Sequence, residues 1–207
     1  MNALQPQPSD AGWSIVNLAA RLLLAEVDAP LIDSLFVAQG GLVDEAGDLP
    51  FVLLDRDLLG LRRETALDEL AAEFSRLFVG PDPVCPPYAS INDCGVLLGG
   101  RHAREIEAVM EELALELPSE WRIAASDHLG VELSVFAALD ARRRSGTIDP
   151  SFCVEFFARV LSPWAPSYLR RVALSARWAP YRTVPVAAAM VLDSWVPSQF
   201  AFGALHS

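Results

Sequence analysis

Residues Thr65–Pro81 read TALDELAAEFSRLFVGP, and one helical stripe runs through them. Leu67, Leu70, Ala71, Phe74, Leu77 and Phe78 recur at intervals of three and four, which puts them on one face of an α-helix. Asp68, Glu69, Glu73 and Arg76 fall on the other side. Thr65 with Asp68 resembles a capping box, with Asp where Glu or Gln is usual. Gly80-Pro81 supplies a stop, because proline cannot continue the helix and glycine accommodates the turn out of it. The stretch predicts an amphipathic helix packed on a core.

The same punctuation repeats on both sides. Upstream, Trp13, Val16, Ala20, Leu23 and Leu24 keep helical spacing behind Asp10 as a cap. Pro30 suits the start of a second helix and Gly40-Gly41 its end. Leu42–Gly60 lacks a period and reads as an irregular connection with about one turn of helix. Downstream, helix resumes near His102, with Ile106, Val109, Met110, Leu113 and Leu117 inward and Glu105, Glu107, Glu111, Glu112 and Glu116 outward. A helix capped by Ser126 runs to Arg142 and is apolar on more than one side, through Leu129, Leu133 and Phe136 but also Val131, Val135 and Leu139. Such a helix belongs in the middle of a bundle. Asp149-Pro150 opens another, carrying Phe152, Phe156 and Val160. Ser162–Pro166 is a tight corner before the stripe Leu169, Val172, Ala173 and Ala176, and a last helix runs from about Pro185 to Trp195. Strand-like alternation is nearly absent. The expectation is an all-α fold, a single helical bundle of about nine or ten helices over residues 1–207.

Composition narrows the function. With 52% hydrophobic residues, the chain can bury a sizeable core. Its longest candidate membrane stretch, Val184–Val196, contains Pro185 and Asp193 and is far shorter than the roughly 20 residues a spanning helix needs. No basic residue precedes Arg21, so no secretory signal is read and a cytoplasmic location is expected. Cys85, Cys94 and Cys153 are odd in number and scattered, which fits free thiols. The net charge of −11 argues against nucleic acid and suits a basic partner. All 16 basic residues are arginine, so no P-loop lysine and no side-chain Schiff base are available.

Catalytic and metal patterns are not found. There is no CxxC and no HExxH, and Cys85, Cys94 and His102 match no standard zinc spacing. Gly99-Gly100 reads as a helix-entry turn. Asp127 suits the positive end of a helix dipole, and His128 lies one helical step from Glu132, close enough for a side-chain contact. No cofactor or metal is expected. A small-molecule enzyme using His128 as a base is the alternative class. The stretch from Gly80 to Gly100 carries four of the fifteen prolines, and a loop of that length in a compact domain is often functional.

Three separated pieces resemble the TorD/DmsD family of redox-enzyme maturation chaperones. Phe74–Ser90, FSRLFVGPDPVCPPYAS, has Leu77-Phe78, Gly80-Pro81 and Pro86-Pro87-Tyr88 followed by Ser90 in the family's order. Asp127-His128-Leu129 with Glu132-Leu133 is similar to its Asp-His motif. Leu161–Pro166, LSPWAP, is similar to its Pro-Trp corner. Asn92 stands where a second aromatic is usual, and Ala125-Ser126 where Pro or Glu often precedes Asp-His. The resemblance implies a chaperone that catalyses nothing. Its partner would be the catalytic subunit of a molybdopterin oxidoreductase of the dimethyl-sulfoxide-reductase type, often held by its N-terminal twin-arginine signal peptide. Binding a non-exported subunit as a scaffold, as in nitrate-reductase assembly, is the alternative. A monomer is expected, and a dimer is compatible.

Phe74, Leu77, Phe78, Pro87, Tyr88, Ser90, Asp127 and His128 are the candidate client-binding residues. Phe74, Leu77, Phe78, Pro87 and Tyr88 are expected to line a groove near Asp127 and His128, with Asp127 offering charge to a client arginine and Tyr88 offering aromatic area. Leu77 and Phe78 also have ordinary core spacing.

Overall fold

The computed structural model describes residues 10–41, 52–93, 100–116 and 125–195. Among them are ten helices and no strand: α1 Asp10–Leu24, α2 Ala29–Gly41, α3 Arg56–Leu59, α4 Arg63–Phe74, α5 Ala89–Asp93, α6 Arg101–Glu112, α7 Leu129–Arg144, α8 Pro150–Phe156, α9 Ala165–Ser175 and α10 Ala179–Ser194. None is long and apolar enough to cross a membrane.

The all-α expectation holds, and α7 lies at the centre. Leu129, Val131, Leu133, Val135, Phe136 and Leu139 are all buried although they point in several directions, because α1 covers one side of α7 and α8 with its continuation another. The Phe136 ring meets Trp13 at 5.3 Å, Trp195 at 4.9 Å and Phe157 at 5.3 Å between centroids, so one side chain joins α1, α7, α8's continuation and the end of α10. α1 also packs on α10, which packs along α9.

Gly130 permits the α1–α7 contact. A Cβ built there lies 2.5 Å from Leu24 Cγ and 2.9 Å from the Ala20 carbonyl oxygen, the second of which is backbone and cannot swing away. Gly130→Ala is therefore expected to destabilise the fold by about 1–3 kcal/mol through overpacking, measurable as a lower urea midpoint. An unchanged midpoint would show that α1 can shift at no cost.

Several boundaries differ from the sequence reading. α4 starts at Arg63, two residues before the expected capping box, and no side chain caps its first turn. Arg63 instead reaches across to Asp33 (2.5 Å) and the Ala29 carbonyl (2.8 Å) at the start of α2. Glu73, expected on the wet side of α4, is buried. It takes both arms of Arg76 at 2.8 Å and the Arg177 backbone N–H at 2.6 Å, while Arg76 also donates to the Ser175 carbonyl. The α9–α10 turn covers that face, which the periodicity of α4 alone does not reveal. α10 begins at Ala179 and runs through Pro185, which was read as its start. Pro180 in the first turn needs no N–H, and the buried flanks Val184, Ala188 and Ala189 hold the helix across the donor missing at Pro185.

The one-turn helix expected between 42 and 60 is α3, while residues 42–51 lie outside the described residues. Asp149-Pro150 opens α8 as read, and the Asp149 carboxylate caps it by accepting the Ser151 N–H at 2.8 Å. Two helices continue as π-helical turns, α4 through Ser75–Val79 and α8 through Phe157–Leu161.

Candidate functional site

The π turn after α4 sets the path of the proline-rich loop. A π turn bonds five residues back, and the Gly80 N–H closes it on the Ser75 carbonyl at 2.7 Å. A Cβ at Gly80 would lie 2.9 Å from that oxygen, which explains the glycine. The next carbonyls at the helix end are taken by the returning loop. Val84 N–H donates to the Arg76 oxygen (3.1 Å) and Cys85 N–H to the Leu77 oxygen (2.8 Å). Tyr168 of α9 then donates its hydroxyl to the Cys85 carbonyl at 2.8 Å.

The loop next runs along the entrance to α7. Leu129 N–H donates to the Pro87 carbonyl (2.8 Å), Ala89 N–H donates to the Asp127 carbonyl (2.9 Å), and Tyr88 and His128 face each other as an antiparallel bridge. Their rings meet edge to face at 5.2 Å. Asp127 Oδ2 accepts the Ser90 hydroxyl at 2.5 Å and the Ser90 N–H at 3.3 Å. Asn92 completes the loop, its amide donating to the Pro86 and Tyr88 carbonyls at 2.9 and 2.8 Å. At this position an amide does the work of a loop staple, which accounts for its standing where an aromatic was expected.

The family model for the nitrate reductase delta subunit matches residues 41–170, taking in all three pieces singled out above. The chain belongs to that family. Chaperone protein YcdY of Escherichia coli (strain K12) is similar, at 26% identity over 131 residues. That match covers 63% of this chain and 65% of YcdY. The fold is similar to a crystal structure from Archaeoglobus fulgidus proposed to be a redox enzyme maturation protein, with a TM-score of 0.56 and 17% identity. That likeness covers 93% of this chain and 99% of the other.

In this member of the delta-subunit family the eight candidate residues fall into two groups. Pro87, Tyr88, Ser90, Asp127 and His128 are together, at the junction just described. Phe74, Leu77 and Phe78 are not part of it. All three are buried, and Phe78 stacks edge to face between Phe74 (5.4 Å) and Tyr181 of α10 (5.8 Å). They are core side chains. The large apolar side chains exposed along this stretch are Val79, Val84 and Ile91, beside a half-buried Tyr88. Their signal was faint, since isolated apolar residues in a loop look like noise.

The start of α7 also differs from the expectation. The cap is His128, whose Nδ1 accepts the Gly130 N–H at 3.0 Å, and Ser126 instead donates its hydroxyl to Glu107 of α6 at 2.7 Å. Burial pushes His128 down to about 4 against the opposing pull of Asp127, so the ring is neutral near pH 7. With Nδ1 accepting, the ring proton sits on Nε2, and neither nitrogen is left as a free base. Asp127 is 0% exposed and cannot offer its charge to an arginine from solvent, as the sequence reading supposed.

Sequence reasoning missed one cluster. The hydrogen bonds of the Glu132 carboxylate go to His102 and Trp164. It is 0% exposed, and its Oε1 meets His102 Nε2 of α6 at 2.8 Å while Oε2 accepts the indole N–H of Trp164 at 3.2 Å. Burial pushes the Glu132 carboxyl up to about 7, opposed by the His102 and Trp164 hydrogen bonds. The bond to Glu132 in turn raises His102 above its ordinary range, against its own desolvation. Through this cluster the Pro-Trp corner and α6 join the Asp-His motif. A glutamate in a helix that is apolar all round was the available signal.

Cys85 and Cys153 are free and buried. No metal-ligating cluster occurs among the described residues, and Cys94 and Gly99 lie outside them.

Proposed function

We propose that this protein is a non-catalytic maturation chaperone that holds the catalytic subunit of a redox enzyme in the cytoplasm until it is assembled. The observation carrying the reading is the stitching of Ser90 to Asp127, 37 residues apart, which ties two of the three family-like pieces to each other. Asp127, Ser90, His128 and Pro87 are positioning residues there. The client contacts are Tyr88, Val84 and Ile91, apolar side chains that the stitched loop keeps at the surface. A client of the dimethyl-sulfoxide-reductase type, gripped at a basic and apolar twin-arginine signal peptide, fits these anchors and a chain of net charge −11. Several apolar anchors are needed, because an exposed ion pair supplies only about 0–1 kcal/mol.

Tyr88→Ala is expected to weaken binding of such a peptide about tenfold, through faster dissociation. The salt dependence should stay as in wild type, because the lost contact is uncharged. Titration at two salt concentrations with stopped-flow dissociation checks this. If Tyr88→Ala and Ile91→Ser both bind like wild type while truncation elsewhere in the client abolishes binding, the signal-peptide site is wrong. The scaffold reading then replaces it, in which a non-exported subunit is held away from its N-terminus. The nitrate reductase delta subunit match favours that second reading.

A further inference from the structure

α9 and α10 lie side by side and leave a groove that no third helix among the described residues fills, with a volume of about 1010 Å³. On α10 it is lined by Thr183, Val186, Ala187, Met190 and Val191, which recur at helical spacing on a single stripe, and on α9 by Ala173 and Leu174. Leu174 is 89% exposed and Met190 is 63% exposed, unusually wet for large apolar side chains placed together. The charged lining residues are Arg170 and Arg182, with no acid, in a chain of net charge −11. Arg182 sits near the start of α10, and Arg170 is held by Asp193 near its end, about three turns and 16 Å away. Arg182 pairs with Asp55 at 2.5 Å. The Arg170–Asp193 pair is half-exposed, whereas Asp55 is largely buried and Arg182 donates to the Arg177 carbonyl as well; a guanidinium still has more N–H donors than these acceptors take. Each arginine therefore keeps donors for a second carboxylate at either end of an apolar trough.

We propose that this groove docks an amphipathic helix of a partner protein, one with an apolar stripe about three turns long and acidic side chains near both ends. The charge pattern is opposite to that of a twin-arginine peptide, so the groove is a second surface, independent of the loop–α7 junction. A third helix laid between α9 and α10 buries Leu174 and Met190 by ordinary ridge-into-groove packing, and the two arginines set its register.

The test uses synthetic amphipathic peptides of about four turns with one apolar stripe and Glu, Gln or Lys at both ends, followed by fluorescence anisotropy. The Glu-ended peptide is expected to bind about tenfold more tightly than the Lys-ended one at low salt, a gap that shrinks as salt rises. Met190→Asp and Leu174→Asp are expected to weaken it by about tenfold or more with unchanged circular dichroism, since both positions are exposed. Arg170→Glu is expected to remove the preference for the Glu-ended peptide.

Equal binding of the Glu- and Lys-ended peptides overturns the proposal, as does binding that Met190→Asp leaves intact. Absence of binding by all three peptides at hundreds of micromolar overturns it too. So does sedimentation showing wild-type self-association that Met190→Asp abolishes, because a second copy would then be the occupant.

Discussion

Glu132→Ala is expected to destabilise the protein by about 3 kcal/mol, because it removes a fully buried carboxyl that holds two hydrogen bonds. The substitution leaves the Trp164 indole N–H without an acceptor and His102 without its partner, and it opens a void in the central helix. Glu132→Gln keeps the volume and an acceptor for Trp164, so its loss should be much smaller near neutral pH.

The pH profile separates a titrating pair from mere packing. In the unfolded chain Glu132 gives up its proton around its ordinary 4.5, whereas in the fold it keeps it to about 7. The folded state thus binds more protons over that window, and stability falls as pH rises through it, by an amount on the order of 3 kcal/mol. His102 is raised above its ordinary 6.5, so its contribution is present below 6.5 and lost as pH rises through the raised value. His128, depressed to about 4, acts in the opposite sense and costs stability as pH falls from 6.5 towards 4. Between about pH 6.5 and 8.5 only Glu132 and His102 of these three contribute, both downward. Urea midpoints across that interval should fall for wild type and fall less for Glu132→Gln. Parallel profiles for the two proteins would show that the pair does not share a proton.

Asp127→Ala is the second large effect, an expected loss of about 3 kcal/mol. The carboxylate holds the Ser90 hydroxyl and N–H in a fully buried position, and removing it strands both donors. Asp127→Asn should lose only about 1 kcal/mol, since the amide oxygen can still accept from Ser90 and its nitrogen gains the position of Oδ1, which has no protein partner. Denaturant midpoints rank the two variants. Amide exchange should report faster opening at Ala89 and Ser90 in Asp127→Ala than in wild type. Equal stability for Asp127→Ala and wild type would return this residue to the role of a surface charge. Any client-binding defect of Asp127→Ala then has to be read beside its stability, and Tyr88→Ala is the cleaner probe.

The fold class was legible because apolar stripes at helical spacing are a local signal. The central place of α7 was legible too, since a helix apolar on several sides has to be covered on several sides. What covers a given side is not local. Glu73 looks solvated until the α9–α10 turn closes over it, and Phe78 looks like a groove wall until Phe74 and Tyr181 close on it. At the site, the joining of the two motifs was expected, but the roles within it were not. The sequence reads Asp127 as a charge at a helix start and His128 as close enough to Glu132 for a side-chain contact. They turn out to be a buried clamp and the cap itself, and Glu132 reaches a histidine 30 residues away. Short polar motifs announce that something is held, and only the tertiary contacts say what.

The π turn at Ser75–Val79 bears on which lengths of chain this architecture tolerates. Loops usually absorb a residue gained or lost at little cost. Here the proline-rich loop is launched from a helix carrying one surplus residue per turn. Deleting any one of the five would restore ordinary winding and swing everything after it by about 100° around the axis. Cys85 and Pro87 would then lose register with the carbonyl of Leu77 and the amide of Leu129, and Tyr88 would face away from His128. The segment behaves like a splined joint, in which the count of teeth matters more than their chemistry. Among relatives, the length of this turn should be kept along with its buried Leu77 and Phe78, while the exposed Ser75 and Val79 vary.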